Sequence, residues 1–329
     1  MILAPERSVL DSRVTVISGK GGTGKSSVAA ALALAARREG HRVVVAEVSQ
    51  CERISQMLKP KSSPAGYPGR EVVPGITVVR IDPYAALSEY LGLRFGFSRA
   101  ISSVLSSKSL RQLMDGSPGW RELIALGKIW HLEQLTDERG QPTFDRIVVD
   151  APASGHGVTF LDIPRVVASA IRGGPLRREA RRVQALIHDP MRTVLLPVSL
   201  PEELPVQETV ELVSRIREQV GIHVDHVVAN GVSRELLSGE MEPLSDRLDA
   251  LAPGSLPETL PEPGVLAHCV RYVRSRATLH RHFVSELASR TELPVLLLPF
   301  LEEGLDEPAD LERLSAALSA PEWFGDERP

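Results

Sequence analysis

The chain has 329 residues, 43% of them hydrophobic and 24% charged, with a formal net charge of −4. That length suits one large domain, or one carrying an inserted subdomain, and the mild negative charge argues against non-specific nucleic-acid binding. Two cysteines, Cys51 and Cys269, make no Cys-x-x-Cys pair and no disulfide framework, so a reducing compartment and no zinc site are expected.

Met1 to Arg7 has no basic region followed by an apolar run, so no signal peptide is expected. The apolar run from Leu293 to Leu301 is too short to span a bilayer. These features point to a cytoplasmic protein whose membrane role, if it has one, is peripheral or through a client.

Val14 to Ile17 reads as a short buried strand, and Ser26 to Ala36 as a helix rich in Ala and Leu. Between them lies Gly19-Lys20-Gly21-Gly22-Thr23-Gly24-Lys25-Ser26, a Gly, four residues, then Gly-Lys-Ser. Strand, glycine loop and helix is the arrangement that aims backbone N–H groups and a helix N-terminus at phosphate. In this reading Gly19, Gly21, Gly22, Thr23, Gly24, Lys25, Ser26 and Ser27 form the nucleotide cradle. Lys25 reaches the β- and γ-phosphates, and the Ser26 hydroxyl ligates Mg²⁺. Lys20 is not required by an ordinary phosphate loop. It sits at the loop mouth, positioned to reach a phosphate from the side or from a second subunit. The chain has only six lysines, which makes a functional reading of Lys20 and Lys25 stronger.

Residues 42–48 read as a second strand, giving a right-handed βαβ unit and a parallel sheet. Residues 59–75, rich in Pro, Gly, Ser and Lys, read as loop, and residues 76–82 as a third strand. From Pro83 to about Leu135 the pattern becomes helical. Tyr84, Tyr90, Phe95, Phe97, Trp120 and Trp130 fall here, six of 14 aromatics. They suit a small helical core, or the lining of a hydrophobic client groove. Ile101, Val104 and Leu105 alternate with serines at helical spacing.

Phe144 to Asp150 returns to the sheet. An apolar strand ending in Asp supplies a carboxylate to a Mg²⁺ shell, so Asp150 joins Ser26 as a metal-ligand candidate. Ala151 to Gly157, which includes Gly155, reads as a glycine-containing loop able to sense the γ-phosphate and move on hydrolysis. Two helical stretches follow, 160–171 and 172–188. The second carries Arg172, Arg177, Arg178, Arg181 and Arg182 against one acid, Glu179. Such a run is ordinarily a solvated helix face, with a basic rim for a charged tail or lipid headgroups as the lesser reading. Residues 193–198 read as strand, 205–220 as helix, and 222–229 as a strand closing at Asn230-Gly231. Helices are expected over 235–251 and 265–290, a last strand over 293–298 and a last helix over 308–318. The alternation predicts an α/β fold, a doubly wound, mostly parallel sheet with ligands at the carboxyl ends of its strands.

Several of these segments together resemble the ArsA and tail-anchored-protein-targeting ATPase family, which has a deviant phosphate loop, and in particular its bacterial ArsA-like branch. Lys-Gly-Gly-Thr-Gly-Lys-Ser is similar to that loop. Asp150 to His156 resembles the family's Asp-Thr-Ala-Pro-Thr-Gly-His signature. Pro201 to Thr209 resembles the segment after the next strand. Asn230 matches the position whose amide reads adenine, and Pro299-Phe300 the loop that covers the base. The resemblance implies a single phosphate-loop NTPase domain over residues 1–329, with a helical client-binding subdomain over 83–135 and about 160–188. It implies Mg²⁺-dependent hydrolysis of ATP by a nucleotide-gated homodimer, or a heterodimer with a paralogue. Each Lys20 would cross to the opposite nucleotide, making Lys20, Lys25 and Asp150 catalytic. The family's first-switch Asp, which positions the attacking water, has no direct match, and Glu47 is the nearest carboxylate. The implied role is handling of a hydrophobic membrane-protein client. Alternatives are the ATPase subunit of an anion or metalloid pump, or a positioning switch of the MinD/ParA type. The pump's metalloid-binding cysteines and the targeting factor's zinc pair have no counterpart here.

Overall fold

A computed structural model describes residues 7–48, 52–95, 116, 119–233, 244–305 and 307–325. Several expectations fall outside them: the helix around Ile101 to Leu105, Phe97, Ser49 to Cys51 after the second strand, most of the helix expected from 235, and the last four residues.

One nine-stranded sheet runs through the described residues in the order β3-β4-β2-β5-β1-β6-β7-β8-β9. Its strands are β1 Val14–Ser18, β2 Val43–Glu47, β3 Arg70–Val73, β4 Ile76–Arg80, β5 Arg146–Asp150, β6 Thr193–Ser199, β7 Val227–Val232, β8 Val295–Pro299 and β9 Glu322–Trp323. All pairings from β4 across to β8 are parallel, and only the edges β3 and β9 run antiparallel. The described helices are α1 Lys25–Arg38, α2 Ile54–Leu58, α3 Pro83–Phe95, α4 Trp120–Gln134, α5 Ser154–Ala170, α6 Pro175–His188, α7 Glu203–Arg215, α8 Leu244–Asp249, α9 Pro263–Thr291 and α10 Pro308–Ser319.

The strands are apolar on both faces, as parallel strands covered by helices must be. Val44, Ala46, Ile147, Val149 and Leu195 face a layer built from α4, α5, α6, α7 and α9, through residues such as Ile129, Phe160, Leu186, Leu212 and Leu287. Val43, Val45, Val148, Leu196 and Val198 face α1 and α10, where Leu32, Leu311 and Leu314 meet them. Leu123, Ile163, Ala168 and Ala180 form a small third cluster linking α4, α5 and α6. Of the expected helical region, the described helices α4, α5 and α6 contribute to one covering layer of the sheet. Trp130 packs against that layer's core with the Arg182 guanidinium 5.6 Å above its ring, while Trp120 is 37% exposed.

Three local expectations are corrected. Residues 70–73 form an edge strand rather than loop; only Val72 of the four is buried, so little hydrophobic pattern marks it. The expected loop at 151–157 is cut short, because α5 starts at Ser154. The Ala153 carbonyl accepts the amides of His156 and Gly157, both at 2.9 Å, closing the first turn there. A Cβ at Gly157 would lie 2.6 Å from Ser18 Oγ, so this turn packs directly on the end of β1. Finally, the chain end adds β9, which seats the buried Trp323 ring edge-on against His226.

His226 carries a consequence for acid stability. It is 3% exposed, and neither ring nitrogen has a hydrogen-bond partner among the described residues. Burial disfavours the imidazolium and pushes the residue down to about 4. An unfolded chain takes up this proton near pH 6.5, whereas the folded chain resists until about pH 4. Stability from this residue is thus complete above pH 6.5 and lost as pH falls toward 4, by roughly 2 kcal/mol at pH 5. Urea midpoints at pH 7.5 and pH 5.0 check it. His226→Leu should reduce the acid loss by about that amount; parallel losses in both proteins would refute it.

Candidate active site

β1 ends at Ser18, and the chain turns at once into the glycine loop. Gly19 has φ +155°, and a Cβ there would lie 2.2 Å from the Val198 carbonyl oxygen of β6. Gly24 has φ +87°, and a Cβ would lie 2.3 Å from Asn230 Nδ2 at the end of β7. Both positions need glycine, for backbone conformation and for space. Gly21 and Gly22 are exposed at the crest, while Thr23 is buried with its hydroxyl donating to the Lys20 carbonyl at 3.0 Å. Helix α1 starts at Lys25 with no side-chain cap, which leaves its first-turn N–H groups to a ligand.

The Lys25 ammonium donates to the Lys20 carbonyl at 2.8 Å, folded over the loop. Burial pulls its pKa below the usual lysine range, against the pull of the Asp150 charge. Ser26 Oγ donates to Asp150 Oδ2 at 2.6 Å. Asp150, 2% exposed, is pushed above the usual carboxylate range by burial, which outweighs the Ser26 bond and the Lys25 charge. Each charge of this pair is undercompensated, as in a site built for further charges of both signs. β1 and β5 are neighbours with Ile17 opposite Asp150, so the sheet register itself brings the Asp to the loop.

Glu47 stands opposite Asp150 in the β2–β5 register. It is fully buried, and its Oε1 accepts the amides of Arg53 and Ile54 at 2.9 and 3.0 Å. Burial raises its pKa despite those two bonds. The sequence suggested a water-positioning carboxylate here; the geometry instead spends one oxygen on the start of α2 and gives the group no solvent access. Among the described residues, Oε2 has no hydrogen-bond partner.

Asn230 Nδ2 donates to the Thr23 carbonyl at 2.9 Å. Its amide therefore braces the glycine loop, which leaves the carbonyl Oδ1 as the end able to accept a hydrogen bond from a ligand. Beyond it lies a cavity of about 440 Å³ between α9, α10 and the end of β8, lined by Ser233, Tyr272, Arg276, Phe300 and Arg313 among others. Phe300 is 47% exposed, with the Arg276 guanidinium 5.5 Å over its ring. Phe300 N donates to the Val232 carbonyl at 2.8 Å, and Ser233 N donates to His280 Nδ1 at 3.0 Å, so β7, β8 and α9 are tied around the cavity. Gly155 is exposed in the first turn of α5, and no heavy atom lies within 4 Å of where its Cβ would be. Ser27 is half-buried in the first turn of α1.

Two residues here were not singled out from the sequence. Glu208 on α7 pairs with Lys20 Nζ at 2.7 Å. Arg276 lies far from the loop in the chain, and no motif marks it. Among the described residues no cluster of three or more His, Cys, Asp or Glu side chains could hold a metal by itself, and no helix is long and apolar enough to cross a membrane.

Known proteins are similar to this chain in sequence. Residues 12–173 match the ArsA-type family described as anion-transporting ATPase. The chain is 29% identical to the ATPase BagA of Mycobacterium tuberculosis over 308 residues, 89% of each chain. It is 28% identical over 237 residues to the arsenical pump-driving ATPase of Acidiphilium multivorum, which takes in 66% of this chain and 39% of that one. The matched family segment contains the glycine loop, Ser26 and Asp150 on adjoining strands of one parallel sheet. With site and likeness in agreement, this chain is similar to the ArsA-type, anion-transporting ATPases and is an ATP hydrolase.

Proposed function

We propose that the protein is a nucleotide-gated dimeric ATPase in which each subunit's Lys20 serves the nucleotide of the other. The observation that carries this reading is the position of Lys20. Its backbone is pinned inside the loop by Lys25 and Thr23, while its half-exposed ammonium points out to α7. With Lys25 already folded over its own loop, a Lys20 directed away toward α7 is left to serve another nucleotide.

In the proposed site, backbone amides from Gly21 to Ser27 and the Lys25 ammonium bind the phosphates. Ser26 and Asp150 fit a Mg²⁺ ion: both present hard oxygen donors, and the undercompensated Asp150 charge calls for a cation. Two protein ligands suffice, since Mg²⁺ takes its other positions from water and phosphate. When bound, the ion would neutralise charge developing on the phosphate oxygens. Lys25 and the partner's Lys20 stabilise the same charge during transfer to water. Glu47, through the amides of Arg53 and Ile54, ties the start of α2 to the end of β2. Asn230 Oδ1 accepts from the adenine amino group, and Phe300 covers the base. The first turn of α5, with Gly155, packs on the end of β1 and links the phosphate end of the site to the helical layer.

Phe300→Ala should raise KM for ATP about five- to tenfold, the value of one aromatic contact, with kcat within twofold, because base binding is equal in ground and transition states. Steady-state kinetics reads both. An unchanged KM places the base elsewhere.

A hydrophobic membrane-protein client is supported by exposed Leu93 on α3, Trp120 on α4 and Val166 on α5. Dimerisation is tested by sedimentation velocity with a non-hydrolysable ATP analogue. A shift from one-copy to two-copy mass is expected, and no shift refutes the gated dimer. Recovery of a paralogue in equal amount from native lysate would make the partner a heterologous subunit. The relatives named as arsenical pump-driving ATPases favour a second reading, service to an anion or metalloid pump, and arsenite-stimulated turnover would establish it.

A further inference from the structure

The Lys20–Glu208 pair joins the loop mouth to the second turn of α7 at 2.7 Å, with the two side chains 30% and 39% exposed. The Lys20 carbonyl is held from the other side, by Lys25 Nζ at 2.8 Å and Thr23 Oγ1 at 3.0 Å. The backbone of residue 20 is thus fixed, and only its long side chain is left to change partner. In this arrangement its charge is neutralised by a carboxylate of the same chain. To reach a phosphate across an interface, the ammonium must leave that carboxylate.

We infer that Glu208 is a positioning residue that holds Lys20 at home until the nucleotide of a second copy takes it over. The exchange swaps one carboxylate for a more highly charged polyphosphate, so it runs forward only when the facing site is loaded. With an empty facing site, closing the dimer would part the ion pair for nothing. The pair therefore makes closure conditional on nucleotide in the opposite subunit. This inference rests on the trans-acting role proposed for Lys20.

A half-exposed pair of this kind shifts an equilibrium by roughly two- to fivefold. A twofold-symmetric dimer opens two pairs, so the factors multiply to about 4- to 25-fold. Glu208→Gln keeps the shape and removes the charge. With a non-hydrolysable ATP analogue, this variant should lower the dimer dissociation constant by that factor in sedimentation velocity. Its turnover at limiting protein, relative to turnover at saturating protein, should rise in step. In a Lys20→Ala background the same substitution should leave the dissociation constant unmoved, because there is no longer a lysine to hold. Glu208→Gln with an unchanged or weakened dimer, while Lys20→Ala alone is inactive, overturns the inference and leaves the trans lysine standing. Glu208→Gln that tightens the dimer equally without Lys20 overturns it as well, pointing to simple charge repulsion. Normal turnover by Lys20→Ala overturns both the inference and the reading beneath it.

Discussion

Lys25→Ala lowers ATP turnover by a factor of about 10² to 10³ or more, the cost of removing one charged donor from a site where phosphoryl charge develops. Nucleotide affinity falls as well, since the same ammonium contacts the ground-state phosphates. Folding does not suffer. Burial already disfavours the Lys25 charge, and among the described residues its ammonium bonds the Lys20 carbonyl. Removing it also takes away a charge that lowers the Asp150 pKa, so Asp150 should titrate higher in the variant. A thermal melt within about 2 °C of the parent, with turnover lost, is the expected pair of results. Turnover within tenfold of the parent would mean that the phosphates lie elsewhere.

Lys20→Ala behaves differently. The residue lies at the mouth of the cradle and its ammonium faces α7, so its own subunit's nucleotide should bind within about threefold of normal. Turnover should still drop by roughly 10² to 10³, because in the proposed dimer the missing donor acts in the transition state of the opposite site. Fluorescent-nucleotide titration and phosphate release separate the two effects. Mixing the variants makes the test sharper. A Lys20→Ala subunit retains its own Lys25, and a Lys25→Ala partner still offers Lys20 to it. Equal mixing gives half mixed dimers, each with one complete site, so about a quarter of normal activity should return if mixed dimers close. Two inactive proteins that stay inactive together argue for action within one chain.

The glycine loop, Ser26, Asp150, Asn230 and the alternation of strands and helices were all legible along the chain. Each is a local signal: a turn that needs glycine, an apolar strand ending in a carboxylate, a helix of Ala and Leu. The edge strands were not legible. β3 buries only Val72 and β9 is two residues long, so pairing with β4 and β8 makes them, rather than any pattern of their own. The expected loop at 151–157 failed for a related reason. Gly155 and Gly157 look like loop residues, yet the turn closes as helix and packs on Ser18.

Glu47 shows the limit most clearly. From the sequence it is the nearest carboxylate, at the end of β2; only the path of the chain into α2 decides that its oxygen goes to two backbone amides. Likewise, Asn230 was legible as a strand-end amide, but its bond to the Thr23 carbonyl depends on β7 lying two strands from β1. Glu208 and Arg276 carry no signal of their own, since an ion pair and a cation over a ring are set by folding, not by spacing. By itself, then, the sequence determined the chemistry that one short segment can encode: a phosphate loop, its lysines and a strand-borne Asp. The tertiary structure decided which distant side chains meet that segment. Contacts across the sheet depend on strand order and register, which follow from burying both faces of all the strands at once.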